Sequence, residues 1–163
     1  MVPASWTETE RAAARRLTFW VRFALVAVGA GLVVVFALAA WINPYDAQGR
    51  PLRMEAHRQL GLPACNFYRW TGQPCPACGM TTSFALLVHG DPADSLRANA
   101  VGTLLALAGL AALPWCFASA GRGRWIGVEV NEARVLGALT LVVVLALVRW
   151  VIVLGLRWRG ILP

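Results

Sequence analysis

Charge is what this sequence has least of. Only 14% of its residues are charged and 58% are hydrophobic, where a soluble domain has roughly 25% charged. A water-soluble enzyme is excluded by that balance. Lysine is missing altogether, so the 15 basic residues are all arginine; set against 8 acidic residues they leave a net charge of +7. A nucleic-acid surface needs basic residues gathered on one face with aromatics between them. Here the arginines sit at the ends of hydrophobic stretches and through the loops, which excludes nucleic acid and fits a lipid bilayer with anionic head groups. The apolar cores contain no acidic residue and the chain has no internal repeat, which argues against transport. A paired-carboxylate site in the spans, a glycine-rich phosphate loop and a serine-histidine-acid pattern are also lacking, and a non-enzymatic role is favoured.

What is there is hydrophobic length. Three stretches approach the ~20 apolar residues that cross a bilayer. The first is expected over 20–42, bracketed by Trp20 and Trp41, about 31 Å apart on a helix and so at the two interfaces. A cleaved signal peptide is the rival reading. The long leading region with Glu8 and Glu10 favours a retained anchor. The second span is expected over 92–119, with Asp91 as cap and Pro92 at the first helical position. Pro114 should kink it, and Ala98, Gly102 and Ala106 leave a shallow groove where another helix can come close. The third is expected over 133–156, capped by Asn131 and interrupted by Arg149. That arginine must snorkel to the head groups or find an acceptor from outside the spans.

Arginine bias sets the expected orientation. Arg11, Arg15, Arg16 and Arg22 lie in or beside the amino-terminal tail, and Arg122, Arg124 and Arg134 lie in or beside the loop between spans two and three. Residues 1–19 and 120–132 are therefore assigned to the cytoplasm, 43–91 to the outside as a cysteine segment, and 157–163 to an outer tail. The implied location is a bacterial cytoplasmic (inner) membrane, multi-pass, with the amino terminus inside.

Three of the four cysteines, Cys65, Cys75 and Cys78, fall within 14 residues of that outer segment, and Cys116 stands alone in the second span as a small buried hydrophobe. Residues 80–89 suit a short helix ended by Gly90. At about 15 Å it cannot cross a bilayer and should be re-entrant or interfacial. The expected fold is all-α integral membrane, with three transmembrane helices plus this one short helix, and the cysteine turn within reach of Arg149.

The stretch from Cys65 to Asn99 resembles the bacterial membrane-protein family catalogued as domain of unknown function 2752. The shared features are the leading Cys65, a Thr-Gly-x-Pro-Cys-Pro-x-Cys-Gly core at 71–79 with Pro74, Pro76 and Gly79, then Thr81, Ser83, Gly90, Asp91 and Asn99. Members usually carry arginine where this chain has Thr82, and proline where it has Ala100. The resemblance implies a membrane location and a functional segment without naming a reaction.

Three readings of the cysteines stay open. A disulfide among them would stabilise the segment, and since three is odd one thiol is left over. A zinc-class metal could be held by Cys65, Cys75 and Cys78, with His89 or His57 as fourth ligand. In the third, Cys75 and Cys78 have the spacing of thiol-disulfide exchange, with Cys65 as resolving thiol, the only enzymatic class the residues offer. The favoured role is an assembly or scaffold component of a small membrane complex, with a homo-oligomer or another membrane protein as partner. Pro74, Pro76, Gly79, Thr81, Asp91, Asn99 and Arg149 are its expected structural positions.

Overall fold

The computed structural model describes residues 16–160. Glu8 and Glu10, which favoured a retained anchor, Arg11 and Arg15, used above for orientation, and the last three residues of the carboxyl-terminal tail lie outside the described residues. The fold is all-α: α1 (Phe19–Trp41), a 3₁₀ turn (Ala56–Leu60), α2 (Asn66–Thr71), α3 (Met80–Val88), α4 (Pro92–Arg122) and α5 (Glu132–Trp158). Among the described residues there is no strand, only two isolated bridges. Three helices, α1, α4 and α5, are long and apolar enough to cross a membrane, as a multi-pass membrane protein requires.

Antiparallel α1 and α4 form the frame, and glycine lets them close. A Cβ on Gly29 would lie 2.9 Å from the Phe117 ring, and one on Gly109 would lie 3.3 Å from Phe36. Each helix thus offers a glycine notch to the other's phenylalanine. At one end of this pair Arg22 Nε donates to the Ala120 carbonyl at 2.8 Å, and Leu25, Cys116 and Ala120 pack together. Cys116 is a buried hydrophobe there, as its surroundings in sequence imply. At the other end α3 is wedged between α1 and α4. Phe84 stacks on Phe36 with centroids 5.8 Å apart, while Ala85 packs with Ile42 and Ala56.

The small-residue groove on α4 receives α3. A Cβ on Gly102 would lie 2.3 Å from Ser83 Oγ and 3.2 Å from the Met80 Cα, so only glycine admits that approach. Ser95 and Thr103 complete the seam: Ser95 Oγ donates to the Ser83 carbonyl at 2.7 Å and lies 2.7 Å from Thr103 Oγ1. These hydroxyls are buried and bonded, which is what burial demands of polar groups.

The second span carries a break that the sequence did not announce. The backbone of α4 leaves helical geometry at Asn99 (φ −158°, ψ 103°), while Pro114 lies inside the helix. Asn99 Oδ1 accepts from the Gly102 amide at 3.0 Å, the bond of a helix cap to the third residue on. Residues 92–98 are therefore a separate short segment, and the helix able to cross runs over 100–122, about 34 Å long. Asparagine ends one helix and begins another here; proline at 114 merely lacks one donor.

Candidate functional site

The cysteine segment lies over the α3–α4 junction, and each cysteine is placed by a different local device. Cys65 precedes α2, whose six residues end at Gly72 in the left-handed conformation (φ 68°). Cys75 and Cys78 flank the Pro76-Ala77 turn, closed by Cys78 N donating to the Cys75 carbonyl at 3.1 Å. Gly79 follows at φ 85°, a conformation that costs a residue with a Cβ roughly 1–2 kcal/mol. The space is closed too, because a Cβ there would lie 2.7 Å from the Ala98 carbonyl oxygen and 2.8 Å from that of Arg53.

These turns bring three sulfurs together. Cys65, Cys75 and Cys78 Sγ all lie within 4.8 Å of one another. Cys75 and Cys78 Sγ are 3.1 Å apart, and the Cys75 amide donates to Cys78 Sγ at 3.2 Å. All three are free thiols, half-buried in a cavity of about 220 Å³ whose wall includes Glu55, His57 and Tyr68. The thiols differ in character. Amides in the first turn of α2, that of Tyr68 foremost, hold the Cys65 thiol below its ordinary pKa, whereas burial pushes Cys78 up to about 12.

The two candidate histidines part company. His57 lines the cysteine cavity, with Nε2 3.2 Å from the Pro63 carbonyl. His89 does not join the cluster. Its Nδ1 lies 2.8 Å from the Ala85 carbonyl and its ring meets Tyr45 edge-on, because α3 carries it away from the turn at its start. Other expected structural positions fall around the cluster. Thr81 lines the cavity, Pro74 is buried, and Asp91 caps the 92–98 segment by accepting from the Asp94 amide at 3.2 Å. Pro76 is half-buried within the turn. Thr82, where arginine is usual in the family resembled, is buried and accepts from the Ala56 amide at 3.4 Å.

Asn99 ties the turn to α4, donating Nδ2 to the Cys78 carbonyl at 3.1 Å while its Oδ1 caps the helix. That cap occupies the Gly102 amide, which in an unbroken helix would serve the Ala98 carbonyl. Arg149 takes the vacated place. Its Nη2 donates to the Ala98 oxygen at 2.7 Å, so the acceptor is the last residue of the 92–98 segment, at its break from the crossing helix. Beside it Trp150 Nε1 donates to the Pro74 carbonyl at 2.7 Å and its ring meets Phe67 edge-on.

Sequence reasoning missed α2, Trp150 and Glu55. Gly72 six residues after Asn66 was a stop signal for α2. Nothing in the sequence ties Trp150 to Pro74. Glu55 carries a left-handed backbone (φ 71°) without being glycine, a strained conformation on the wall of the cysteine cavity for which the sequence gives no sign.

Residues 65–113 match the model of a family described as protein of unknown function (DUF2752). The match begins at the first cysteine of the cluster and ends within α4. No curated protein and no solved structure matches the chain.

Proposed function

We propose that this is a membrane protein whose outer segment holds one zinc-class metal ion on Cys65, Cys75 and Cys78, and that the ion fastens the segment as a rigid recognition element. The observation that carries this is the convergence of three sulfurs within 4.8 Å. A tetrahedral zinc site with bonds of about 2.3 Å places its sulfurs about 3.8 Å apart, so the Cys75–Cys78 pair, 3.1 Å apart, opens by about 0.7 Å and no other separation need close by more than about 1 Å. His57 is the histidine nearest to serving as fourth ligand, since it lines the same cavity. Metal bound there would join the start of α2 to the start of α3, two elements otherwise linked by a loop. The arginine bias supports an outward-facing segment with the amino terminus in the cytoplasm of a bacterial cell.

The test is metal analysis of the full chain purified in detergent without chelator. About one equivalent per chain is expected, lost in Cys65→Ser, Cys75→Ser and Cys78→Ser alike, and reduced in affinity in His57→Ala with His89→Ala unaffected. Metal-free protein from membranes prepared with zinc present would sink the proposal. A second reading, thiol-disulfide exchange, is favoured by the 3.1 Å approach of Cys75 and Cys78. In that case the metal-free protein reduces a test disulfide, and Cys75→Ser and Cys78→Ser each abolish the reaction.

A further inference from the structure

Next to the cysteine cavity, and separated from it by Cys78, lies a second cavity of about 190 Å³ into which four arginines converge: Arg53, Arg97, Arg149 and Arg157. The geometry points to a binding site for a phosphate-bearing anion, at the membrane-surface end of the bundle. Cys78 belongs to both walls, but the proposal does not rest on the metal reading, since the groups offered to the anion are the arginines, none of which lines the cysteine cavity.

Four positive side chains gathered at one concavity repel one another unless an anion sits among them. The arginines come from three separate places in the chain: the loop before the 3₁₀ turn, the 92–98 segment, and two positions on α5 eight residues apart. No single helix face explains their meeting. Asp94 pairs with Arg97 at 2.9 Å, but no acidic residue lines the cavity itself. Backbone carbonyls hold three of the guanidiniums in place. Arg149 Nη2 donates to Ala98 at 2.7 Å, Arg53 Nη1 to Arg97 at 3.4 Å and Arg157 Nη1 to Gly72 at 3.4 Å. A guanidinium has five N–H donors in a planar fork suited to phosphate oxygens, so the bond to a carbonyl orients Arg53 and Arg149 and does not exhaust them. The volume would admit about six waters, enough for a phosphate or diphosphate group.

Position along the helices sets the depth. Arg149 lies about 26 Å along α5 from Glu132, close to the ~30 Å hydrocarbon thickness, and Arg157 lies about 12 Å further. The cavity therefore spans the level where lipid head groups lie, and basic pockets between helices at that level are suited to head-group phosphates. A soluble phosphate compound arriving from water offers the same chemistry.

The test uses the full chain in nanodiscs with two probes. Pyrophosphate is titrated into phosphatidylcholine discs, and phosphatidylglycerol is titrated as a fraction of the disc lipid, with binding read by native mass spectrometry and thermal shift. Saturable binding of one anion per chain is expected for at least one probe. Saturation by pyrophosphate identifies a soluble phosphate source, and saturation by phosphatidylglycerol alone identifies a head group. Arg53→Gln with Arg97→Gln, both at exposed positions, should weaken it roughly a hundredfold, about tenfold for each charged donor removed. Arg122→Gln with Arg124→Gln at the opposite end should leave it unchanged. Should the first pair fail to fold, Arg53→Gln alone carries the comparison with roughly a tenfold loss. The proposal is overturned if neither probe saturates, or if the two arginine pairs weaken binding equally.

Discussion

The junction of α3 with α4 and the long helix α5 are held by opposite means. At the junction the backbones themselves touch: Gly79 lies against two carbonyls, Gly102 against α3, and Asn99 binds on both sides of the break. In α5 no residue is buried, and among the helices its backbone comes close to α4 alone, with the Trp150 ring reaching Phe67 of α2. It is attached to the rest by side chains near its carboxyl end, Arg149 to Ala98, Trp150 to Pro74 and Arg157 to Gly72. The difference teaches where precision is needed. Close backbone contact leaves the cysteine turn no room to shift toward Ala98 or Arg53, whereas long side chains position α5 and leave the remainder of its surface apolar and outward.

The harshest way to break the junction is Gly79→Ala. The new methyl would meet two backbone oxygens that cannot rotate away, in a left-handed conformation alanine disfavours. A loss of about 3 kcal/mol or more is expected, seen as a large fall in melting temperature of the purified full chain together with loss of bound metal. A variant that melts like the parent would show that the turn can relax away from Ala98 and Arg53. Asn99→Ala comes next, at about 2 kcal/mol, since it removes a helix cap and leaves the Cys78 carbonyl without its donor. Asn99→Ser sharpens the result because serine keeps the cap but cannot reach Cys78, so roughly half of the loss should return. Equal losses for both variants would assign the whole effect to the bond with Cys78.

The contrast also marks what the sequence could disclose. The spans were legible because a run of apolar residues bounded by tryptophan, Asp-Pro or asparagine is a one-dimensional signal. The meeting place for α3 was legible in the Ala98, Gly102 and Ala106 spacing, and the cysteine group in its local spacing. The break at Asn99 was hidden because a buried asparagine inside an apolar run reads as a tolerated polar residue until its partners, Gly102 and Cys78, are seen together. The partner of Arg149 was hidden for the same reason, since the Ala98 carbonyl becomes available only through that break. Choosing between His57 and His89 required knowing that α3 leads away from the cysteine turn, which spacing does not encode. Convergence of four arginines from distant parts of the chain has no local signature at all.

The mildest change tests the other half of the comparison. Leu139 on α5 is 59% exposed, and Leu136 and Val143, one turn away on either side, are 64% and 56% exposed. If that face meets only lipid chains, Leu139→Ala exchanges one apolar surface for a smaller one and removes no packed neighbour. Its effect on the melting temperature of the full chain in nanodiscs should then correspond to no more than about 0.5 kcal/mol, with unchanged mass of the assembled particle. A second protein surface packed against Leu139 would instead make truncation leave a cavity, at a cost of about 2 kcal/mol or more. A large loss, or a shift in particle mass on mutation, would therefore show that α5 is an interface held by apolar packing along its outward face. The contrast drawn between the two regions would then describe the single chain and not its assembly.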